Sequence, residues 1–145
     1  MLIDANILLY SVDRTSPFHP AADTWLTAAL NGDRRVGIPW ISLSAFLRIA
    51  TNPRAVAEPL TPQQAWAHVD GWLAAPATWI PTPGYGHASI LQGLLARHDV
   101  RAGLVPDAVL AAICIEHGLA IVSADSDFAR FDAIEWTNPV APAPR

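Results

Sequence analysis

Lysine is missing from this chain: all nine of its basic residues are arginine. Without Lys there is no P-loop of the G-x-x-x-x-G-K-[ST] type, and no receiver site that depends on a Lys. Cysteine is nearly as scarce. Cys114 stands alone, so no disulfide can form within the chain, which suits a cytoplasmic location. It falls on an apolar helix face and reads as a small core residue. The five His are scattered, with no H-x-x-x-H spacing, which argues against zinc. Neither G-x-S-x-G nor G-x-G-x-x-G occurs, removing the usual hydrolase elbow and the dinucleotide fingerprint. The longest uncharged apolar run, residues 36–47, is too short to cross a bilayer. No basic segment precedes an apolar one near the start, so no signal peptide and no membrane partner are expected.

What is present points to one well-buried domain. An apolar content of 52% and a charged content of 15% over 145 residues provide for a single sizeable core. No internal repeat or linker divides the chain. We expect one domain over residues 1–138 and a frayed Pro- and Ala-rich tail over 139–145. The net charge of −4 argues against tight non-specific binding of nucleic acid. It does not exclude a nuclease, because carboxylates gathered around a cation are neutralised locally.

The chain is organised around residues 105–128. Pro106 suits a first helical turn, and Leu110, Ile113, Cys114 and His117 follow at helical spacing. Gly118 is the expected left-handed stop. Residues 119–122 form a short apolar run of the kind found in buried parallel strands. Ser123, Asp125 and Asp127 follow it, while Asp107 sits at the helix start. A helix antiparallel to the next strand puts its N-terminus beside that strand's C-terminal end. Asp107, Asp125 and Asp127 therefore converge at the carboxyl edge of a sheet, where open α/β sheets place ligands. Singly, each has a plainer role: a helix-start carboxylate for Asp107, turn formers for the other two.

The opening residues strengthen the convergence. Leu2 and Ile3 make a minimal strand that ends at Asp4, and Asn6 follows as the next helix begins. With this strand central in a parallel sheet, Asp4 joins Asp107 and Asp125 at one edge. Carboxylates so grouped repel strongly unless a cation neutralises them. Oxygen ligands without His or Cys point to Mg²⁺ or Mn²⁺, and such ions serve phosphoryl chemistry by stabilising phosphate charge and activating water.

Between these ends, helices and short strands alternate. Helical spacing marks residues 21–30, 39–51, 61–76 and 85–97, and strands are expected at 36–38, 79–80 and, on an edge, 134–136. Thr61 and Gln64 form a capping-box pattern. Trp66, Val69, Trp72 and Leu73 read as a core or dimer stripe. The alternation predicts an α/β fold: a three-layer αβα sandwich with a mainly parallel sheet of about five short strands.

The Asp at the first strand's end with Asn two residues on, the Asp at a late helix start, and S-x-D-x-D-F after the next strand together resemble PIN-domain ribonucleases. Size and segment order look like the VapC-type toxins of bacterial toxin–antitoxin pairs, over nearly the whole chain. Residues 46–54 (F-L-R-I-A-T-N-P-R) and 127–131 (D-F-A-R-F) add to the likeness. The resemblance implies a PIN-like fold and a metal-dependent endoribonuclease cleaving structured RNA such as tRNA or rRNA. Metal-activated water would attack a phosphodiester. It also implies a homodimer and a cognate antitoxin protein that blocks the cleft. Asp4, Asp107 and Asp125 would hold Mg²⁺ or Mn²⁺, with Asp127 supporting catalysis. Asn6 and Ser123 would hydrogen-bond the carboxylates or bound water, and Arg48 and Arg54 would meet RNA phosphates. One position departs: the family usually has an acid three residues before the middle-helix Arg, and here that residue is Ala45.

Two other readings compete. A catalytically decayed PIN-like binding module would explain Ala45. An aspartate-nucleophile phosphatase would share the strand-end Asp, but Asn6 stands where that class needs a second Asp.

Overall fold

The computed structural model describes residues 1–141, and five parallel strands form its sheet. The strands are β1 (Leu2–Ile3), β2 (Val36–Gly37), β3 (Thr78–Trp79), β4 (Ile121–Val122) and β5 (Trp136–Thr137). The helices are α1 (Ala5–Val12), α2 (His19–Leu30), α3 (Trp40–Ala50), α4 (Pro62–Ala74), α5 (His87–Arg97) and α6 (Val105–His117). Strand order is β3-β2-β1-β4-β5, and every pairing is parallel. The chain first works outward from β1 through β2 to β3, then returns to place β4 on the other side of β1. That reversal makes the β1–β4 boundary a switch point, where the loops leaving the carboxyl ends diverge and open a crevice.

Two-residue strands hold because both faces are covered. Ile3, Val36, Ile38 and Val122 pack on one side with Leu8, Leu26, Phe46 and Val69 from α1 to α4. Leu2 and Ile121 face the opposite way, onto Ile113, Cys114, Leu94 and Phe128. The alternation within β1 and within β4 is the pleat itself, and its result is the expected αβα sandwich. Pairing continues beyond the short strands: Asp4 N donates to Val122 O at 3.0 Å, and Ser123 N to Thr137 O at 3.0 Å. These two bonds fix where Asp4 and Ser123 stand.

Several local expectations are met. Gly118 ends α6 at φ 64°, ψ 42°, and Leu119 N donates to Cys114 O at 2.8 Å, the long closing bond of a Schellman cap. That bond takes Leu119 out of β4, so the strand is shorter than its apolar run. The Thr61–Gln64 capping box is complete, and Cys114 is fully buried. The differences are also local. Helix α5 starts at His87, not residue 85, because Glu116 holds the preceding loop through Gly84 N at 2.8 Å and Gly86 N at 2.9 Å. Strand β3 lies one residue earlier than expected, in the register set by Val36↔Thr78. Trp66 is 43% exposed and is not a core residue. Of the expected tail, Val140 packs into the core cluster at 8% exposure, so docked chain extends at least that far. Residues 142–145 lie outside the described residues. Among the described residues, no helix is long and apolar enough to cross a membrane.

Candidate functional site

The crevice at the β1–β4 boundary is acidic. Asp4 leaves β1 and caps α1, its Oδ1 accepting from Ala5 N at 2.6 Å. The other oxygen, Oδ2, accepts from Ser123 Oγ at 2.7 Å and from Asn6 Nδ2 at 2.9 Å. Ser123 is fully buried, and its hydroxyl is saturated. It donates to Asp4 and accepts from Asn6 Nδ2 at 2.9 Å and Asp125 N at 3.0 Å, the one donor and two acceptors that a hydroxyl offers. Asn6 Oδ1 accepts from Ala124 N at 3.1 Å. Asp4, Asn6 and Ser123 thus clamp the loop after β4 to the start of α1.

Asp125 begins a short 3₁₀ turn (Ser126–Arg130), and its Oδ1 accepts from Asp127 N at 2.8 Å. That local bond folds Asp127 back toward the crevice. Asp107 comes from the first turn of α6, where the helix dipole favours a carboxylate. Carboxylate oxygens of Asp107, Asp125 and Asp127 all lie within 4.8 Å of one another. This is the convergence expected of Asp107, Asp125 and Asp127, while Asp4 is outside the trio, so the expected metal set of Asp4, Asp107 and Asp125 is not the one that gathers most closely. The 3₁₀ turn brings Asp127 in, while Asp4 is held to Ala5, Asn6 and Ser123 at the start of α1.

The electrostatics follow from the crowding. Burial pushes the Asp107 carboxyl up from 3.8 to about 6, helped by the charges of Asp4, Asp125 and Asp127 and opposed by Arg130. Burial also raises Asp4, against the lowering by its bonds to Ser123 and Ala5. Arg130 holds Asp127: Nη2 donates to Oδ1 at 3.0 Å and Nε to the backbone oxygen at 3.1 Å. The spacing D-x-x-R, one helical turn, is the sequence signal for that pair. Arg97 and Arg101 are instead engaged on the surface with Asp132 and Asp99.

Arg48 and Arg54 are exposed, and neither makes a side-chain hydrogen bond or ion pair among the described residues. Arg48 lies in the last turn of α3, about 12 Å along the helix from its first residue, and that first residue follows β2 at the acidic edge. Ala45 is partly buried on the same helix.

Comparisons with known proteins bear on the family and the fold. The sequence profile of the PIN domain matches residues 1–134. Ribonuclease VapC37 of Mycobacterium tuberculosis is 44% identical over 140 residues, covering 97% of each chain. Ribonuclease VapC33 of the same species is 41% identical over 137 residues, covering 94% of this chain and 96% of the relative. Among solved structures, VapBC2 from Rickettsia felis, bound to a DNA fragment from its promoter, matches with a TM-score of 0.70 at 15% identity. It covers 94% of this chain and 96% of that one. VapBC-1 from nontypeable Haemophilus influenzae matches at 0.67 and 11%, covering 97% and 98%. At such identities these two structures speak for the fold.

Proposed function

Given that this chain belongs to the PIN-domain family, we propose that it is a VapC-type ribonuclease toxin: a Mg²⁺- or Mn²⁺-dependent endoribonuclease held in check by a cognate antitoxin. The observation that carries this reading is the gathering of Asp107, Asp125 and Asp127 at the switch-point crevice, with Asp4 beside them. The donors fit a hard divalent cation: they are all carboxylate oxygens, without His or Cys. Their mutual repulsion, felt at Asp107, is what such a cation relieves. Asp107, Asp125 and Asp127 would hold the ion, with Asp4 as the fourth carboxylate. When bound, the ion supplies charge stabilisation for the phosphate and a more acidic water.

The protein's own groups do the positioning. Ser123 Oγ and Asn6 Nδ2 fix the Oδ2 of Asp4, and Ser123 also ties down the Asp125 backbone. Arg130 occupies one oxygen of Asp127 and adds a cation at the crevice rim. Arg48 and Arg54 are free to meet RNA phosphates farther along the backbone. The substrate class is structured RNA such as tRNA or rRNA, the assembly a homodimer, and the compartment the cytoplasm. The names of the relatives, Ribonuclease VapC37 and Ribonuclease VapC33, support the ribonuclease, and a solved structure of similar fold, a toxin–antitoxin complex from Klebsiella pneumoniae, supports the antitoxin partner.

The test is cleavage of a cellular RNA pool by purified, antitoxin-free protein with Mg²⁺ or Mn²⁺. EDTA should stop it, and Asp125→Asn should lower the rate at least about 100-fold, the scale of a lost group that stabilises the transition state. Cleavage that persists in EDTA, or in Asp125→Asn, would refute the metal assignment. Ala45 favours a second reading, a decayed binding module; an inactive wild type that still binds RNA would establish it.

A further inference from the structure

An open cleft of about 450 Å³ adjoins the acidic cluster, lined by Asn6, Tyr10, Ala124, Asp125 and Ser126. Asp125 belongs to both, so the cleft continues the crevice. Its other end is aromatic. Tyr10 lies one helical turn after Asn6 and shares its face of α1. Helical side chains lean toward the helix N-terminus, which carries the Tyr10 ring toward Asn6 and the sheet edge. A second ring backs it: Phe18 stands with its centroid 5.0 Å away at 47° and is 40% exposed. Phe18 occupies the position before α2 and makes no side-chain cap bond there. A small polar residue would stabilise the helix better at that place. His19 Nδ1 lies 2.9 Å from Tyr10 O and pins the segment carrying Phe18 to α1.

One cleft therefore runs from carboxylates suited to a cation to a supported aromatic face. That polarity matches a nucleotide: the phosphate goes to the cation, and the neutral, flat base to the rings. Sequence-tolerant stacking on aromatic side chains is how unpaired bases are held, and paired bases within a duplex cannot reach such a face. We propose that Tyr10, backed by Phe18, is the stacking platform that holds the unpaired base next to the scissile phosphate. The proposal rests on the ribonuclease reading above and names the residues that hold the base.

Binding is read by fluorescence anisotropy in Mn²⁺, in the Asp125→Asn background so that RNA survives. The probes are a short, unstructured, fluorescein-labelled RNA and a duplex of the same length. Tyr10→Leu should weaken single-strand binding about tenfold, the loss expected from one base–aromatic stack. Tyr10→Phe should restore most of it, and duplex binding should be weak and insensitive to both changes. If Tyr10→Leu binds single strands like its parent, the rings serve α2 packing or a protein partner's side chain, and the proposal is overturned. A Tyr10→Phe variant as weak as Tyr10→Leu would also overturn it, since the hydroxyl would then be the contact. Should Tyr10→Leu not fold, Phe18→Ala at the exposed ring carries the same test, with about a threefold loss expected. A wild type that cleaves no RNA defeats the ribonuclease reading alone; anisotropy with wild-type protein then decides the stacking.

Discussion

Asp107→Asn should make the metal-free protein more stable at neutral pH, although it removes a charge that the proposed reaction needs. The folded protein holds the Asp107 proton up to about pH 6, while a free carboxyl loses it near 3.8. The unfolded chain therefore binds fewer protons through that window, and stability falls as pH rises from 3.8 to 6. Above the window the loss is complete. At about 1.4 kcal/mol per pH unit it is about 3 kcal/mol as an upper bound. Asp107 is only partly buried, and solvent screening brings this to about 1.5 kcal/mol. The favourable helix-dipole interaction, about 0.5 kcal/mol, is lost with the charge. A net gain of about 1 kcal/mol remains, or about 3 °C in Tm for a chain of this size. The assay is thermal melting of both proteins in EDTA at pH 7.5 and at steps down toward pH 4. The gap should narrow as pH falls through the window. Mn²⁺ at about 100 times its Kd should then raise wild type by about 2.7 kcal/mol and reverse the order of the two proteins. A variant melting below wild type in EDTA at pH 7.5, or a gap indifferent to pH, would refute the crowding argument.

Three further outcomes are expected. Asp127→Asn should be intermediate, because Arg130 already holds one of its oxygens and an amide oxygen can still meet the ion, with metal affinity about tenfold weaker and stability changed by less than about 1 kcal/mol, because the bond to Arg130 is partly exposed; cleavage equal to wild type at limiting Mn²⁺ would make Asp127 a turn residue only. Ala45→Glu should move the Mn²⁺ dependence of cleavage about tenfold lower, since added ligand charge tightens divalent binding. An unchanged dependence in a variant that melts like wild type would mean that position 45 does not serve the crevice. The Cys114 thiol, raised by burial to about 12, should resist alkylation at pH 8 until the chain unfolds, and labelling faster than global unfolding would contradict its place in the core.

The sequence showed the frame of the site more clearly than its closest contacts. Short apolar runs ending in Asp4 and Ser123, and a helix beginning near Asp107, were enough to send these residues to one sheet edge, because parallel strands share a direction. Asn6 and Ser123 bond to Asp4, as the family resemblance implied. The convergence of Asp107, Asp125 and Asp127 was legible from the same directions, but that Asp127 comes nearer than Asp4 was not. It depends on the 3₁₀ turn after Asp125, a single local hydrogen bond with no periodicity to announce it. Of the two places left open for Trp66, core or dimer surface, the core is excluded by helix phase, which apolar character alone does not set. Ala65, Val69 and Trp72 are the buried line, and Trp66 sits about 100° round from Ala65. The start of α2 was hidden for the opposite reason: Phe18 is no capping residue. Strand β3 took its register from β2, a tertiary choice that local propensity does not encode.

The central strand also governs when the site can come into being. Leu2 pairs with Ile121 and Ile3 with Val122, so the middle of the sheet joins segments that leave the ribosome far apart in time. At about 5–20 residues per second, β1 waits on the order of ten seconds for β4. Contacts of such long sequence separation form late, because loop closure precedes any gain from them. Ser123, the hydroxyl that orients Asp4, arrives with β4. A nascent chain therefore carries its first carboxylate long before it has a crevice, and the crevice is assembled only once β4 has been made.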